Sequence, residues 1–215
     1  MVETMKRIGK SLITSLCLLA AFVLWTVAIC FVDVRAIGPQ GSSVGFAAIN
    51  GFVHHLTGVN FILYNITDWL GLVPIFVCMG FGILGLVQWI KRKSICRVDY
   101  DILVLGGFYI VTICAYLIFE NAAINYRPVL INGYLEASYP SSTTMLVMCV
   151  MPTALMQLGS RIRNKAVRSI IVVIFIALIA FMVIGRLLSG VHWLTDIVGG
   201  VLLSTGLVLM YHAII

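Results

Sequence analysis

"IIVVIFIALIAFMVIGRLLSGVHWLTDIVGG" runs from Ile170 to Gly200. Its first part, Ile170–Leu188, has the roughly 20 mostly apolar residues that a helix needs to cross a bilayer. Its last part sets Arg186, His192 and Asp196 beside that run. Ionisable groups at membrane depth are costly, so they face a polar cavity and carry a function. The stretch therefore predicts two things together, a bundle of membrane helices and a charged site at one end of it.

Working outward, the same length criterion picks out Leu12–Val32, Trp69–Ile90, Ile102–Phe119, Ser142–Leu158, Ile170–Leu188 and Thr195–Ile215. The prediction is an all-α, polytopic membrane protein, with six helices in one bundle and residues 1–215 forming a single membrane-embedded domain. Composition agrees: 61% of the residues are hydrophobic, 10% are charged and the mean hydropathy is +1.10, which excludes an ordinary soluble domain. The first run follows Lys6, Arg7 and Lys10 as a signal-peptide core would. It is too long for one and lacks a clear small-residue cleavage site, so it is read as a retained helix.

The net charge of +6 is a matter of topology rather than of a nucleic-acid surface, because the basic residues cluster between apolar runs. Lys6, Arg7 and Lys10 precede the first helix. Lys91, Arg92, Lys93 and Arg97 follow the second, and Arg161, Arg163, Lys165 and Arg168 follow the fourth. Eleven of the fourteen basic residues thus fall on one side. The positive-inside rule makes that side, and both termini, cytoplasmic. Arg127, Ser141 and the Arg186–Asp196 stretch then share the external face of what is expected to be a plasma membrane.

Cys17, Cys30, Cys78, Cys96, Cys114 and Cys149 show no metal-ligand spacing. They are expected to be buried thiols acting as small hydrophobes. Neither metal nor cofactor is expected. Gly80, Gly82, Gly85, Gly106, Gly107, Gly199 and Gly200 are expected to allow close helix packing. Between Asp33 and Asp68, Phe46, Ile49, Val53 and Leu56 recur at helical spacing, which predicts an amphipathic helix in the outer interface. His54 and His55 on it are candidates to reach the site.

If the last helix begins near His192, Asp196 lies one turn further along, where its carboxylate can hydrogen-bond one imidazole nitrogen and leave the other free to attack. Arginines beside such a histidine imply an anionic electrophile, with phosphate the natural candidate. "YPSSTTML" supplies the hydroxyls of Ser141, Ser142 and Thr143 and free N–H groups at a helix N-terminus, which suits an anion. In "ENAAINYRPVL", Glu120 lies seven residues before Arg127 and would face the same side if the helix continued.

Together "ENAAINYRP", "PSST" and "GRLLSGVHWLTD" resemble the three motifs of the type 2 phosphatidic acid phosphatase superfamily of membrane lipid phosphatases. Those motifs are Lys, six residues, Arg-Pro; Pro-Ser-Gly-His; and Ser-Arg, five residues, His, three residues, Asp. The third is matched most fully and the first two in part. The resemblance implies six helices, His192 as a nucleophile forming a phosphohistidine, and Asp196 orienting it. It also implies Arg127, Arg186, Ser141 and Ser142 as the phosphate-binding groups.

Three positions depart from the motifs: Glu120 replaces the lysine, Thr143 the histidine and Gly185 the serine. Glu120 brings negative charge toward a phosphate site. Thr143 cannot protonate a leaving oxygen, help that is worth around 10²–10⁴-fold. An alcohol leaving from a monoester needs that proton, whereas a phosphate leaving from a diphosphate does not. The expected function is therefore that of a lipid phosphate or diphosphate phosphatase acting on an isoprenoid diphosphate. The alternative is an impaired homologue that binds, senses or transports a phosphorylated lipid. The bilayer and a phosphorylated lipid are the expected partners, and the oligomeric state is left open.

Overall fold

In a computed structural model, the chain is described from residue 2 to residue 215, with side chains from Ile8 onward. Lys6 and Arg7 of the first basic cluster lie outside the described side chains. The helices are α1 (Val2–Phe31), α2 (Ala47–Thr57), α3 (Phe61–Leu70), α4 (Leu72–Arg92), α5 (Tyr100–Ala122), α6 (Ser142–Arg161), α7 (Lys165–Leu188) and α8 (Leu194–Ile214). Six stretches are long and apolar enough to cross a membrane, and α3 and α4 together form the second. Among the described residues there is no strand, only isolated bridges in loops.

The second span begins earlier than expected, at Phe61 rather than Trp69. Asn60 caps the start of α3 by accepting from the Leu63 N–H at 2.9 Å, and Asn65, Thr67 and Asp68 interrupt the apolar run that hydropathy would follow. Pro74 has no N–H to give to the Leu70 carbonyl, so the ladder breaks at Gly71 and the span divides into α3 and α4.

α6 and α8 form the interior, with α1 packed along α8. Ser15 donates to the Gly206 carbonyl at 2.7 Å, an approach that a Cβ on Gly206 would meet 2.9 Å from Leu19. At the basic end, Arg161 ties α6 to Asp101 of α5 at 2.8 Å, and Arg92 ties α4 to Asp99 at 2.8 Å. Hydrogen bonds from Arg92 and from the Gln88 amide hold the Asp99 carboxyl below the usual carboxylate range. α7 is the outermost span, and its apolar side chains, such as Ile170, Val173 and Ile176, are exposed where lipid would lie.

Two expectations are corrected here. Only Cys149 is buried; Cys17, Cys30, Cys96 and Cys114 are exposed and Cys78 is half-buried. Apolar residues in a span satisfy hydropathy by facing lipid as readily as by facing protein, so position in the run did not predict burial. The glycines divide as well. Gly80, Gly82, Gly106 and Gly107 meet nothing within 4 Å, whereas a Cβ on Gly199 would stand 2.4 Å from the Tyr139 ring. Gly82, Gly85, Gly106 and Gly107 instead line a furrow of about 430 Å³ between α4 and α5.

The predicted interfacial helix is present as α2, and the side it turns inward is polar. Asn50 is fully buried: its amide donates to the Gly45 carbonyl at 2.8 Å and to Thr195 Oγ1 at 2.9 Å, and it accepts from the Thr195 N–H at 3.2 Å. Phe46 stacks on Trp25, while Ile49, Phe52 and Leu56 are exposed. α2 therefore docks through hydrogen bonds onto the start of α8, with its apolar stripe facing away from the protein.

Candidate active site

The site lies at the end of the bundle opposite the basic cluster, where α6 and α8 begin and α7 ends. α8 starts at Leu194, two residues later than His192. His192 therefore stands in the turn and Asp196 in the first helical turn. Asp196 Oδ2 caps the helix by accepting from the Trp193 N–H at 2.9 Å, and its Oδ1 accepts from Asn125 at 3.3 Å. His192 Nδ1 is 3.7 Å from Asp196 Oδ2, beyond hydrogen-bond length. The expected bond is thus not made in the free site, because the carboxylate is already committed to its cap and to Asn125.

α6 is held against this turn. The Ser141 N–H donates to the Asp196 carbonyl at 3.1 Å, and Gly199 leaves room for Tyr139 to press onto α8. Ser142, Thr143 and Thr144 occupy the first helical turn, where the N–H groups have no carbonyl below them. Ser141 Oγ and Thr144 Oγ1 are buried without a partner.

Arg127 comes from a loop. α5 ends at Ala122, with Ala123 in the left-handed region at φ 45°, so Glu120 does not face Arg127 along one helix as expected. Glu120 is exposed. Arg127 pairs instead with Glu136, Nε to Oε2 at 3.0 Å, while its N–H donates to the Glu136 carbonyl at 3.0 Å. The pairing belongs to a hairpin turned by Asn132 and Gly133, both at positive φ. Trp193 Nε1 donates to the Tyr126 carbonyl at 2.7 Å and pins the hairpin beside His192. Arg127 Nη1 then lies 3.4 Å from His192 Nε2.

Arg186, on the last turn of α7, is 2% exposed. Its Nη2 donates to Asp68 Oδ1 at 2.8 Å and to Thr143 Oγ1 at 2.6 Å, and its guanidinium lies over the Tyr64 ring at 4.9 Å. Nε and Nη1 are buried with no protein acceptor. Contacts thus link Arg127, His192, Asp196 and Ser141, and Arg186 joins them through Thr143 on the same first turn of α6. Asp68 was missed by sequence reasoning, and Glu136 was not expected as the partner of Arg127. The Asn132-Gly133 turn was a signal for the hairpin that carries Glu136, whereas nothing local marked Asp68.

Burial is the main cause that pushes His192 down to about 4, with Arg127 and then Arg186 adding to it and Asp196 opposing it. The imidazole is accordingly neutral near pH 7 and offers a lone pair. On α2, the His54 ring approaches Trp193 at 5.4 Å between centroids and its Nε2 is buried without a partner, while His55 is exposed. No cluster of metal-ligating side chains occurs among the described residues.

Ser142, Thr143 and Asp68 also stand at the head of a groove of about 520 Å³ between α4, α5 and α6, whose apolar walls include Ile75, Ile113 and Leu146.

A sequence model of the PAP2 superfamily matches residues 115–215. The fold is similar to that in the crystal structure of the first transmembrane PAP2 type phosphatidylglycerolphosphate phosphatase from Bacillus subtilis. The TM-score is 0.58, with 18% identity and 93% of each chain covered. No curated protein matches the sequence.

Proposed function

We propose, for a chain whose residues 115–215 match the PAP2 superfamily, that it removes phosphate from a membrane lipid phosphate or diphosphate through a phosphohistidine at His192. One observation carries this reading. Arg186 Nε and Nη1, Ser141 Oγ and Thr144 Oγ1 are buried donors without protein acceptors, on the end of α7 and the start of α6, and α6 is hydrogen-bonded to the turn that follows a neutral histidine. Buried donors without partners are costly, and a phosphoryl group offers the oxygens to satisfy several at once.

In the proposed reaction His192 Nε2 attacks phosphorus, and Asp196 stabilises the imidazolium charge through space. Arg127, Arg186, Ser141 and the N–H groups around Ser142 hold the oxygens as charge develops. The groove takes the lipid tail. The positive-inside pattern supports cytoplasmic termini and an external site in a plasma membrane. Thr143, standing where the motif has its acid, favours an isoprenoid diphosphate, whose leaving group needs little protonation.

The test is phosphate release by purified protein in detergent from a prenyl diphosphate and from phosphatidic acid, with His192→Ala as control. Release that disappears in the variant is the expected result. A second reading, a protein that binds or moves a phosphorylated lipid without turnover, draws on the two carboxylates already paired with the site arginines, Asp68 with Arg186 and Glu136 with Arg127. Lipid binding that survives His192→Ala, with no phosphate released by folded wild type, would favour it.

A further inference from the structure

Asp68 is the one carboxyl among the residues lining the groove, and its position is tied to two of the motif departures. A Cβ on Gly185 would stand 2.8 Å from Thr67 Cγ2, and a serine side chain would extend further into that contact. Because residue 185 is glycine, α3 packs onto α7, and the next residue of α3 reaches Arg186. The same guanidinium nitrogen donates to Asp68 Oδ1 and Thr143 Oγ1. The carboxyl and the position of the missing histidine are therefore within two hydrogen-bond lengths of each other.

We propose that Asp68 is the acid that protonates the leaving oxygen in place of the motif histidine. The inference rests on the phosphatase reading and widens it, because with an acid present an alcohol can leave and lipid phosphate monoesters become substrates.

In an in-line displacement the nucleophile and the leaving oxygen lie on opposite sides of phosphorus. The leaving oxygen carries the lipid, so it points toward the groove that Asp68 heads. Asp196 is committed to its helix cap beside His192, and Glu136 is paired with Arg127 beside the attacking nitrogen, so both lie on the nucleophile's side.

The His192 Nε2 lone pair forms the N–P bond and the P–O bond breaks. Its electron pair goes to the leaving oxygen, which takes the Asp68 proton. Water then attacks the phosphohistidine, the N–P electron pair returns to Nε2, and the Asp68 carboxylate takes the proton lost by that water. The cycle consumes one lipid phosphate and one water and restores the acid.

In the free site Arg186 pairs with the Asp68 carboxylate, whose side chain is 59% exposed. Incoming phosphoryl oxygens compete for that guanidinium, and a lipid phosphate that enters as its monoanion brings the proton that is passed to the leaving oxygen by the carboxyl. The groups around it are Arg186 on α7, Ser142 and Thr143 on α6, Tyr64 one turn back on α3, and Tyr116 across the groove on α5.

The test compares wild type, Asp68→Asn and Asp68→Asn/Thr143→His on dodecyl phosphate and on an alkyl-chain nitrophenyl phosphate, whose leaving group needs no proton. Asp68→Asn should lower kcat on dodecyl phosphate by about 10²–10⁴-fold and on the nitrophenyl ester by less than about tenfold. The added histidine should recover much of the dodecyl phosphate rate. Equal loss on both esters overturns the acid role and leaves the phosphatase reading standing. A faster Asp68→Asn variant does the same and makes Asp68 only a competitor for Arg186. No release from either ester by folded wild type overturns both.

Discussion

Arg127 Nη1 lies 3.4 Å from His192 Nε2, so a permanent positive charge faces the nitrogen that would attack. It opposes protonation of the imidazole in the free site, and in the proposed reaction it meets the phosphoryl oxygens.

The pH dependence follows from that arrangement. His192 is pushed down to about 4 from 6.5, chiefly by burial. Between those values the unfolded chain binds a proton that the folded site refuses, so stability is complete above about pH 6.5 and falls as pH drops toward 4, by roughly 3 kcal/mol. The acid limb of kcat/KM, corrected for substrate ionisation, should lie near pH 4 rather than near that of a free imidazole. Nuclear magnetic resonance titration of the His192 ring checks the assignment, and a midpoint near 6.5 would contradict it.

In the proposed reaction Glu136 competes with substrate for Arg127. Glu136→Gln should tighten binding of orthovanadate, measured as inhibition of phosphate release, by up to about fivefold, the scale of a partly exposed ion pair. Weaker inhibition would mean that Glu136 holds Arg127 in place rather than occupying it.

Restoring the motif serine should damage the packing. Gly185→Ser puts a side chain against Thr67 Cγ2, where even a Cβ would be at 2.8 Å, and overpacking costs about 1–3 kcal/mol. The variant should have a lower Tm in detergent, and Thr67→Ser, which removes that methyl group, should return most of the loss.

Asn50 joins α2 to the beginning of α8. Asn50→Leu leaves the Thr195 N–H and the Gly45 carbonyl without their partner, a cost of about 1–3 kcal/mol for each buried group left unpaired. Hydrogen exchange should accelerate over residues 47–57 before it does in the spans. Uniform exchange across the chain would show that α2 is not held by this contact.

Span number could be read from the chain because bilayer thickness demands a long apolar run, a property of consecutive residues. Where Asn65, Thr67 and Asp68 broke the run, the reading placed the start of the second span eight residues late. Arg127, Ser141, Arg186, His192 and Asp196 could be singled out because each is polar where the bilayer or the charge rule disfavours it. Their convergence is visible in the contacts among α6, α7, α8 and the Asn132–Gly133 hairpin.

By itself, then, the sequence determined an all-helical membrane bundle with six spans, since hydropathy and length act locally along the chain. Tertiary structure decided which face of each helix meets protein. It turned Cys17 and Cys114 outward and Asn50 inward. It also decided which charges meet: Glu136 rather than Glu120 with Arg127, and Asp68 with Arg186 across 118 positions. The physical reason is that ion pairing depends on distance in space. Helix ends, hairpins and the space left by a glycine set that distance, and spacing along the chain does not.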